Sequence, residues 1–304
     1  MCQLKSLCNF IIVNVLLCFF MSVFLVVVGS LLLLIFLIYK YLERKIRYHR
    51  PDHFPKKGQV PLVEAAGKKV VVCVGDSITH GNVSVNYVDM LERWLSEPYF
   101  FYNAGVNSDL SYTLLERLDE IIATKPDYVT LLIGTNDVNA TMSKAALNSY
   151  YQFKKIAKNV TPDFEGYQRN YTEIVRRLTT ETNAQIALIS LPIMGEDLQN
   201  EANAKADRYS AFIKQTAERE KLTYLPVRER MKAFLEQHPK KLQYTYDDTL
   251  KLVYMSVVKH EILGQDWDKI CLSYGMDLSQ DNLHFNTRGA AMIASLVESW
   301  LKKS

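Results

Sequence analysis

"VVVCVGDSITHGN", residues 70–82, begins as an unbroken apolar run and stops abruptly at Gly75-Asp76-Ser77. A short β-branched run without polar alternation is the pattern of a strand buried on both faces, as in parallel sheets covered by helices. A turn at its end needs only glycine, so an acid and a hydroxyl there require another reason. The same pattern recurs outward along the chain. "YFFYNAGV" (99–106), "DYVTLLIG" (127–134), "AQIALISLP" (184–192) and "LTYLPV" (222–227) read as further strands. Helical periods separate them: Val88, Leu91 and Leu95; then Leu114, Leu118 and Ile121 within 111–123. Phe164, Tyr167, Ile174 and Leu178 follow Thr161-Pro162, read as N-cap and first turn. A helix over 203–219 comes next, and one over 287–302, with Met292, Ile293, Leu296, Val297 and Trp300, closes the chain. This alternation predicts an α/β fold, a mostly parallel five-stranded sheet with helices on both faces.

In such folds ligands bind beyond the carboxyl ends of the strands. Gly75-Asp76-Ser77, Asn103-Ala104-Gly105 and Gly134-Thr135-Asn136-Asp137 end the first three strands, so all three polar breaks fall at one sheet edge. "DNLHFNTRG" (281–289) places Asp281 three residues before His284, within reach of the imidazole N–H. A serine hydroxyl is a weak nucleophile until a base takes its proton. His284 suits that task, and Asp281 would hold its tautomer and stabilise the imidazolium. The N–H groups of Ser77 and Gly105 and the Asn136 amide could serve the oxyanion. Gly105 would let backbone approach the substrate closely. His80 reads as a turn residue and Asp76 as a brace for the loop.

The blocks "GDSIT-G", "NAG", "PDYVTLLIGTND" and "D-LH-N-RG", in that order over roughly residues 69–302, resemble those of the SGNH (GDSL-type) hydrolase family. The resemblance implies a flavodoxin-like three-layer α/β/α fold and hydrolysis of esters with no metal and no cofactor. It also implies Ser77 as nucleophile, Asp281 and His284 as acid and base, and Ser77, Gly105 and Asn136 as the oxyanion hole. Two rival readings keep the same pocket. One is an acyltransferase using the Ser-His pair; the other is a non-catalytic, membrane-tethered binding module.

The chain has 304 residues, 48% hydrophobic and 23% charged, ordinary for a globular protein. No charged side chain occurs between Lys5 and Lys40, a span that exceeds the ~20 apolar residues needed to cross a bilayer. It is also about twice a signal peptide's usual apolar core of ~7–15 residues. Residues 1–50 are therefore read as a single-pass anchor with a basic juxtamembrane segment, 51–68 as a linker and 69–304 as the hydrolase domain. The net charge of +3 conceals an asymmetry: residues 1–50 hold six Lys/Arg against Glu43, and the remainder 30 basic and 32 acidic residues. The basic collar suits anionic membrane lipids, or a solvated linker that merely stops the anchor, and not nucleic acid. Five cysteines form neither a disulfide framework nor a zinc spacing.

Two stretches exceed the simple fold. Residues 138–161 carry Tyr150, Tyr151 and Phe153, expected to line the acyl or leaving-group side. Residues 236–276 include "TLKLVYMSVVKHEIL" (249–263), with Leu250, Val253, Tyr254, Val257, Val258 and Ile262 on one face. That helix reads as a lid over the site or as a packed outer helix. A lid beside an anchor would suit lipid-like esters, while small acetyl esters remain open.

Lys40, Arg44, Lys45, Arg47 and Arg50 follow the apolar span, against Lys5 and the terminal amine before it. The positive-inside rule then places the hydrolase domain in the cytoplasm. Glycosylation sequons at Asn82, Asn139, Asn159 and Asn170 argue instead for a periplasmic, extracellular or luminal side. A glycan on Asn82 or Asn139 would crowd the pocket mouth, which favours the cytoplasmic reading.

Overall fold

The computed structural model describes residues 2–56 and 67–303 and divides into two compact units, Met1–His49 and Arg50–Ser304. The first is one helix, α1 (Cys2–Arg47), whose described apolar side chains are almost all exposed. Its Phe19–Ile46 portion is long and apolar enough to cross a membrane. At 1.5 Å per residue the whole helix runs about 70 Å.

The second unit alternates strand and helix. In chain order its elements are β1 (Lys69–Gly75), α2 (Ser77–His80), α3 (Tyr87–Leu95), β2 (Tyr99–Gly105), α4 (Ser111–Glu116), α5 (Leu118–Ile122) and β3 (Tyr128–Leu132). There follow α6 (Thr135–Ala140), α7 (Lys144–Gln152), α8 (Phe164–Glu181), β4 (Gln185–Ile189), α9 (Glu201–Glu220), β5 (Thr223–Leu225) and α10 (Val227–Gln237). The chain ends with α11 (Thr249–Glu261), α12 (Trp267–Ser273) and α13 (Thr287–Leu301). The five strands are parallel in the order β2-β1-β3-β4-β5. Gly75 of β1 is level with Gly105 of β2 and with Leu132 of β3, so the three polar breaks meet at one edge. The strand order reverses at β1, where α/β folds open a crevice for ligands.

Alternate residues of each strand feed two cores. Val70, Val72, Val74, Val129 and Leu131 pack with Leu114, Leu118, Tyr167, Ile174 and Ile213 on one face. Val71, Cys73, Phe101, Leu132 and Ile189 pack with Leu91, Met231, Ile293, Val297 and Trp300 on the other. The period of two in a strand thus produces three layers.

Four local expectations change. The helix expected over 111–123 breaks into α4 and α5 at Arg117 (φ −110°, ψ 13°), whose side chain is drawn to Asp109 and to the carbonyls of Gly75 and Ala104. The N-cap of α8 is Asp163, which accepts from Gly166 N, and not Thr161, because a carboxylate two residues on takes that bond. The expected linker begins as packed chain: Phe54 is buried, and the His53 carbonyl accepts from Asn103 N at 3.1 Å. Residues 57–66 of that stretch lie outside the described residues. Finally, α11 is turned part-way from the expected face, with Val257 and the partly buried Val253 still inward. It buries Leu252, Ser256 and Val257, while Leu250, Tyr254, Val258 and Ile262 are exposed. Leu252 fills a small core with Trp267, Ile270, Cys271, Tyr274 and Met276, and that core decides which way the helix turns.

Candidate active site

Ser77 opens α2 directly after β1. Asp76 caps that turn, its Oδ1 accepting from Ile78 N at 3.0 Å. The first N–H groups of a helix have no partner within it, so Ser77 N–H stands at an orphan position. His284 comes from the loop before α13, 207 residues later in the chain. Its Nε2 lies 2.8 Å from Ser77 Oγ and its Nδ1 lies 2.8 Å from Asp281 Oδ2. Asp281 Oδ1 also accepts from Leu283 N and His284 N at 3.0 and 2.8 Å, so one carboxylate shapes the loop and orients the ring. A carboxylate only accepts, so Nδ1 carries the ring proton and Nε2 is free to accept from Ser77 Oγ–H. All three side chains are buried, with Ser77 8%, His284 6% and Asp281 1% exposed.

Burial opposes the His284 imidazolium, but the charge and hydrogen bond of Asp281 outweigh it, with help from Asp76. The ring's pKa is raised above 6.5. Burial also pushes the Asp76 carboxyl up to about 7, against the pull of the Ile78 N–H and of His284.

Asn136, on the first turn of α6, is buried and donates through Nδ2 to the Asp109 carbonyl at 2.9 Å. An amide nitrogen has two protons, so one remains for a ligand. Gly105 does not fit the role expected of it. Its N–H donates to Asn103 Oδ1 at 3.0 Å. A Cβ there would meet His80 N at 2.1 Å and Thr79 C at 2.6 Å, so the missing side chain makes room for the α2 backbone and not for substrate. The loop following β2 carries a strained residue instead: Ser108 is left-handed at φ 60°, beside Asp109.

The profile of the GDSL-like lipase/acylhydrolase family matches residues 73–292. The chain belongs to this family. No curated protein sequence matches it. Among solved structures, the acetyl xylan esterase AlAXEase is 20% identical with a TM-score of 0.54, covering 76% of this chain and 98% of its own. An acetylxylan esterase from Geobacillus stearothermophilus is 17% identical with a TM-score of 0.54, covering 78% of this chain and 95% of its own. A lipase/acylhydrolase from Enterococcus faecalis is 19% identical with a TM-score of 0.51, covering 77% and 96%. At these identities the neighbours establish the fold, and family membership makes the chain an ester-hydrolysing enzyme.

Around this GDSL-type site stand residues whose contacts the sequence did not announce. Asn103 staples α2 to β2, donating to the Thr79 carbonyl at 2.8 Å while it accepts from Gly105 N. Asp109 is held at 2.7 Å by both Arg117 Nε and Lys155 Nζ, and Arg117 also donates to the Gly75 and Ala104 carbonyls. Asp137 is bound to the start of α4, accepting from Ser111 N and Oγ; burial nevertheless pushes it up to about 6. The Asp281 loop is braced by the insertion: Ser256 Oγ donates to the Gln280 carbonyl, and Asn282 Nδ2 donates to the Thr245 carbonyl and to Thr249 Oγ1. The expected pair of tyrosines divides. Tyr150 donates to Asn136 Oδ1 at 2.7 Å, and Tyr151 donates to the Val160 carbonyl.

Proposed function

We propose that the protein is a membrane-anchored serine esterase acting on carboxylic esters. The observation that carries this reading is the continuous Asp281–His284–Ser77 chain, with both links at 2.8 Å. Ser77 Oγ attacks the ester carbonyl as its proton passes to His284 Nε2, and Asp281 stabilises the imidazolium. The tetrahedral oxyanion takes hydrogen bonds from Ser77 N–H and from the second Nδ2 proton of Asn136. A third donor comes from the loop around Ser108, because a turn through the left-handed region aims its N–H groups to one side. Strain of this kind, of order 1–3 kcal/mol, collects at working sites. The intermediate collapses when His284 returns its proton to the leaving alcohol. Water then attacks the acyl-enzyme by the same route, freeing the acid and Ser77.

The membrane reading draws on two features. Phe19–Ile46 can span a bilayer, and Lys40, Arg44, Lys45 and Arg50 follow its core. In the second unit, the large hydrophobic side chains described as exposed are Trp94, Tyr112 and seven within Leu250–Leu272. Such a patch favours an ester presented at a lipid surface. The acetylxylan esterases of the same fold make acetyl esters the other substrate class to test. A fluorophosphonate probe should label the full-length protein and not Ser77→Ala. Equal labelling of both would overturn the assignment. An ester panel varying acyl length and leaving group, run on full-length enzyme in detergent, separates lipid-like from acetyl substrates.

A further inference from the structure

We propose that Tyr246, Asn139 and Tyr150 form a one-way hydrogen-bond relay that orients and polarises the Asn136 amide. Through it, the insertion 236–276 contributes to charge stabilisation at Ser77 without touching substrate. The inference rests on Asn136 being an oxyanion donor.

The polarity of the chain is decided at its inner end. The Asp109 carbonyl can only accept, so Asn136 must face it with Nδ2, at 2.9 Å. That leaves Oδ1 facing Tyr150, whose hydroxyl donates to it at 2.7 Å. Having given its one proton, the Tyr150 oxygen accepts, and Asn139 Nδ2 donates to it at 3.0 Å. The Asn139 amide then presents Oδ1 to Tyr246, whose hydroxyl donates at 3.0 Å. Every donor points the same way, from the insertion towards Asn136.

Two consequences follow. Turning over the Asn136 amide would set its oxygen against the Asp109 carbonyl and break the bond from Tyr150, so the relay locks the N–H outward. Bonds aligned head to tail in a buried, low-dielectric site also polarise one another, by roughly 10–30% per bond. A proton donated into Oδ1 draws electrons from the amide and makes the free Nδ2–H a better donor to developing negative charge. Tyr150 is buried, as is Asn136, so water does not compete for either. The four members come from α6, α7 and the turn before α11, which confines the relay to folded protein. Tyr150, Asn139 and Tyr246 are thus positioning residues.

The test is steady-state kinetics on the full-length enzyme in detergent with a soluble ester. Tyr150→Phe keeps the ring and removes only the donor; kcat should fall about tenfold with KM unchanged. Tyr246→Phe, one step further out, should cost about two- to threefold. In an Asn136→Ala background neither change should lower kcat further, which a merely structural role would not produce. Asn139→Asp, whose carboxylate accepts from both hydroxyls and turns Tyr150 away from Asn136, should cost at least as much as Tyr150→Phe. Wild-type kcat in Tyr150→Phe, or an undiminished loss in the Asn136→Ala background, overturns the relay. Ser77→Ala in the same assay separates the two readings. If it is inactive and Tyr150→Phe is unaffected, the relay alone falls; if it stays active, the Ser77 assignment falls and the relay with it. Should Tyr150→Phe fail to fold, Tyr246→Phe carries the same test.

Discussion

Asp281 holds His284 by two bonds, from its backbone N–H to Oδ1 and from ring Nδ1 to Oδ2, while Oδ1 also accepts from Leu283 N. The same carboxylate therefore builds the loop, selects the tautomer and favours the charged ring.

That arrangement has a pH signature. His284 must be neutral to accept the Ser77 proton, and its pKa is raised above 6.5. The rate should rise with pH through a midpoint above that value. Because the folded value lies above the unfolded one, the group's contribution to stability is full below 6.5 and fades as pH rises through the raised value. Asp281→Asn should lower kcat by about 10⁴. A pH–rate profile with its rising limb below 6.5 would contradict the coupling.

Asn136 and Gly105 should separate cleanly. Asn136→Ala is expected to lower kcat by about 10²–10³ with little change in KM. Gly105→Ala should act first on stability, since its Cβ would press on the backbone of Thr79 and His80. Thermal unfolding beside kinetics distinguishes the two: a folded, fully stable Gly105→Ala enzyme with kcat reduced as in Asn136→Ala would return Gly105 to the oxyanion hole.

Asp76 is a buried acid with its pKa pushed up to about 7, and its Oδ2 has no hydrogen-bond partner among the described residues. The unfolded chain ionises it from 3.8 upward, so its contribution to stability falls as pH climbs from about 4 to 7. Asp76→Asn keeps an oxygen for the Ile78 N–H and removes the ionisation. Its melting temperature relative to wild type should therefore increase from pH 4 to pH 8. A pH-independent difference would show that the carboxyl ionises freely in the fold.

Arg117 and Asp109 form an ion pair at 2.7 Å, with the carboxylate almost fully buried. Arg117→Met removes one partner and also frees the carbonyls of Gly75 and Ala104. Unfolding should become easier by about 3 kcal/mol. Asp109→Asn in the same chain should recover none of that loss, because Lys155 Nζ still pairs with the carboxylate at 2.7 Å and would lose its own partner. Denaturant titration of both variants decides the point.

Topology is open to a direct measurement. Of the four sequons, Asn139 and Asn170 use their Nδ2 protons on Tyr150 and Ser111, Asn82 accepts from Asn107, and Asn159 is exposed. A cytoplasmic domain should resist protease in sealed, right-side-out vesicles until detergent is added. Digestion without detergent, or a glycosidase-sensitive mass shift lost in Asn159→Gln, would place the domain outside.

The sequence alone determined the layers and which polar groups stand at the strand ends. Strands buried on both faces write themselves as apolar runs, and their ends as Gly-Asp-Ser, Asn-Ala-Gly and Gly-Thr-Asn-Asp. Asp281 and His284 are three residues apart, so their pairing is a local matter. What surrounds them was decided only by the tertiary structure. Gly105 looks the same in sequence whether a ligand or a helix backbone fills its open side. An amphipathic period shows that α11 has two faces, but the core of Trp267, Ile270 and Tyr274 chose Leu252 and left Tyr254 outside. Asp109 meets Lys155 across 46 residues, and Asn139 meets Tyr246 across 107. Contacts at such separations have no period or spacing to announce them, because it is the closing of the fold that brings their partners within hydrogen-bond reach.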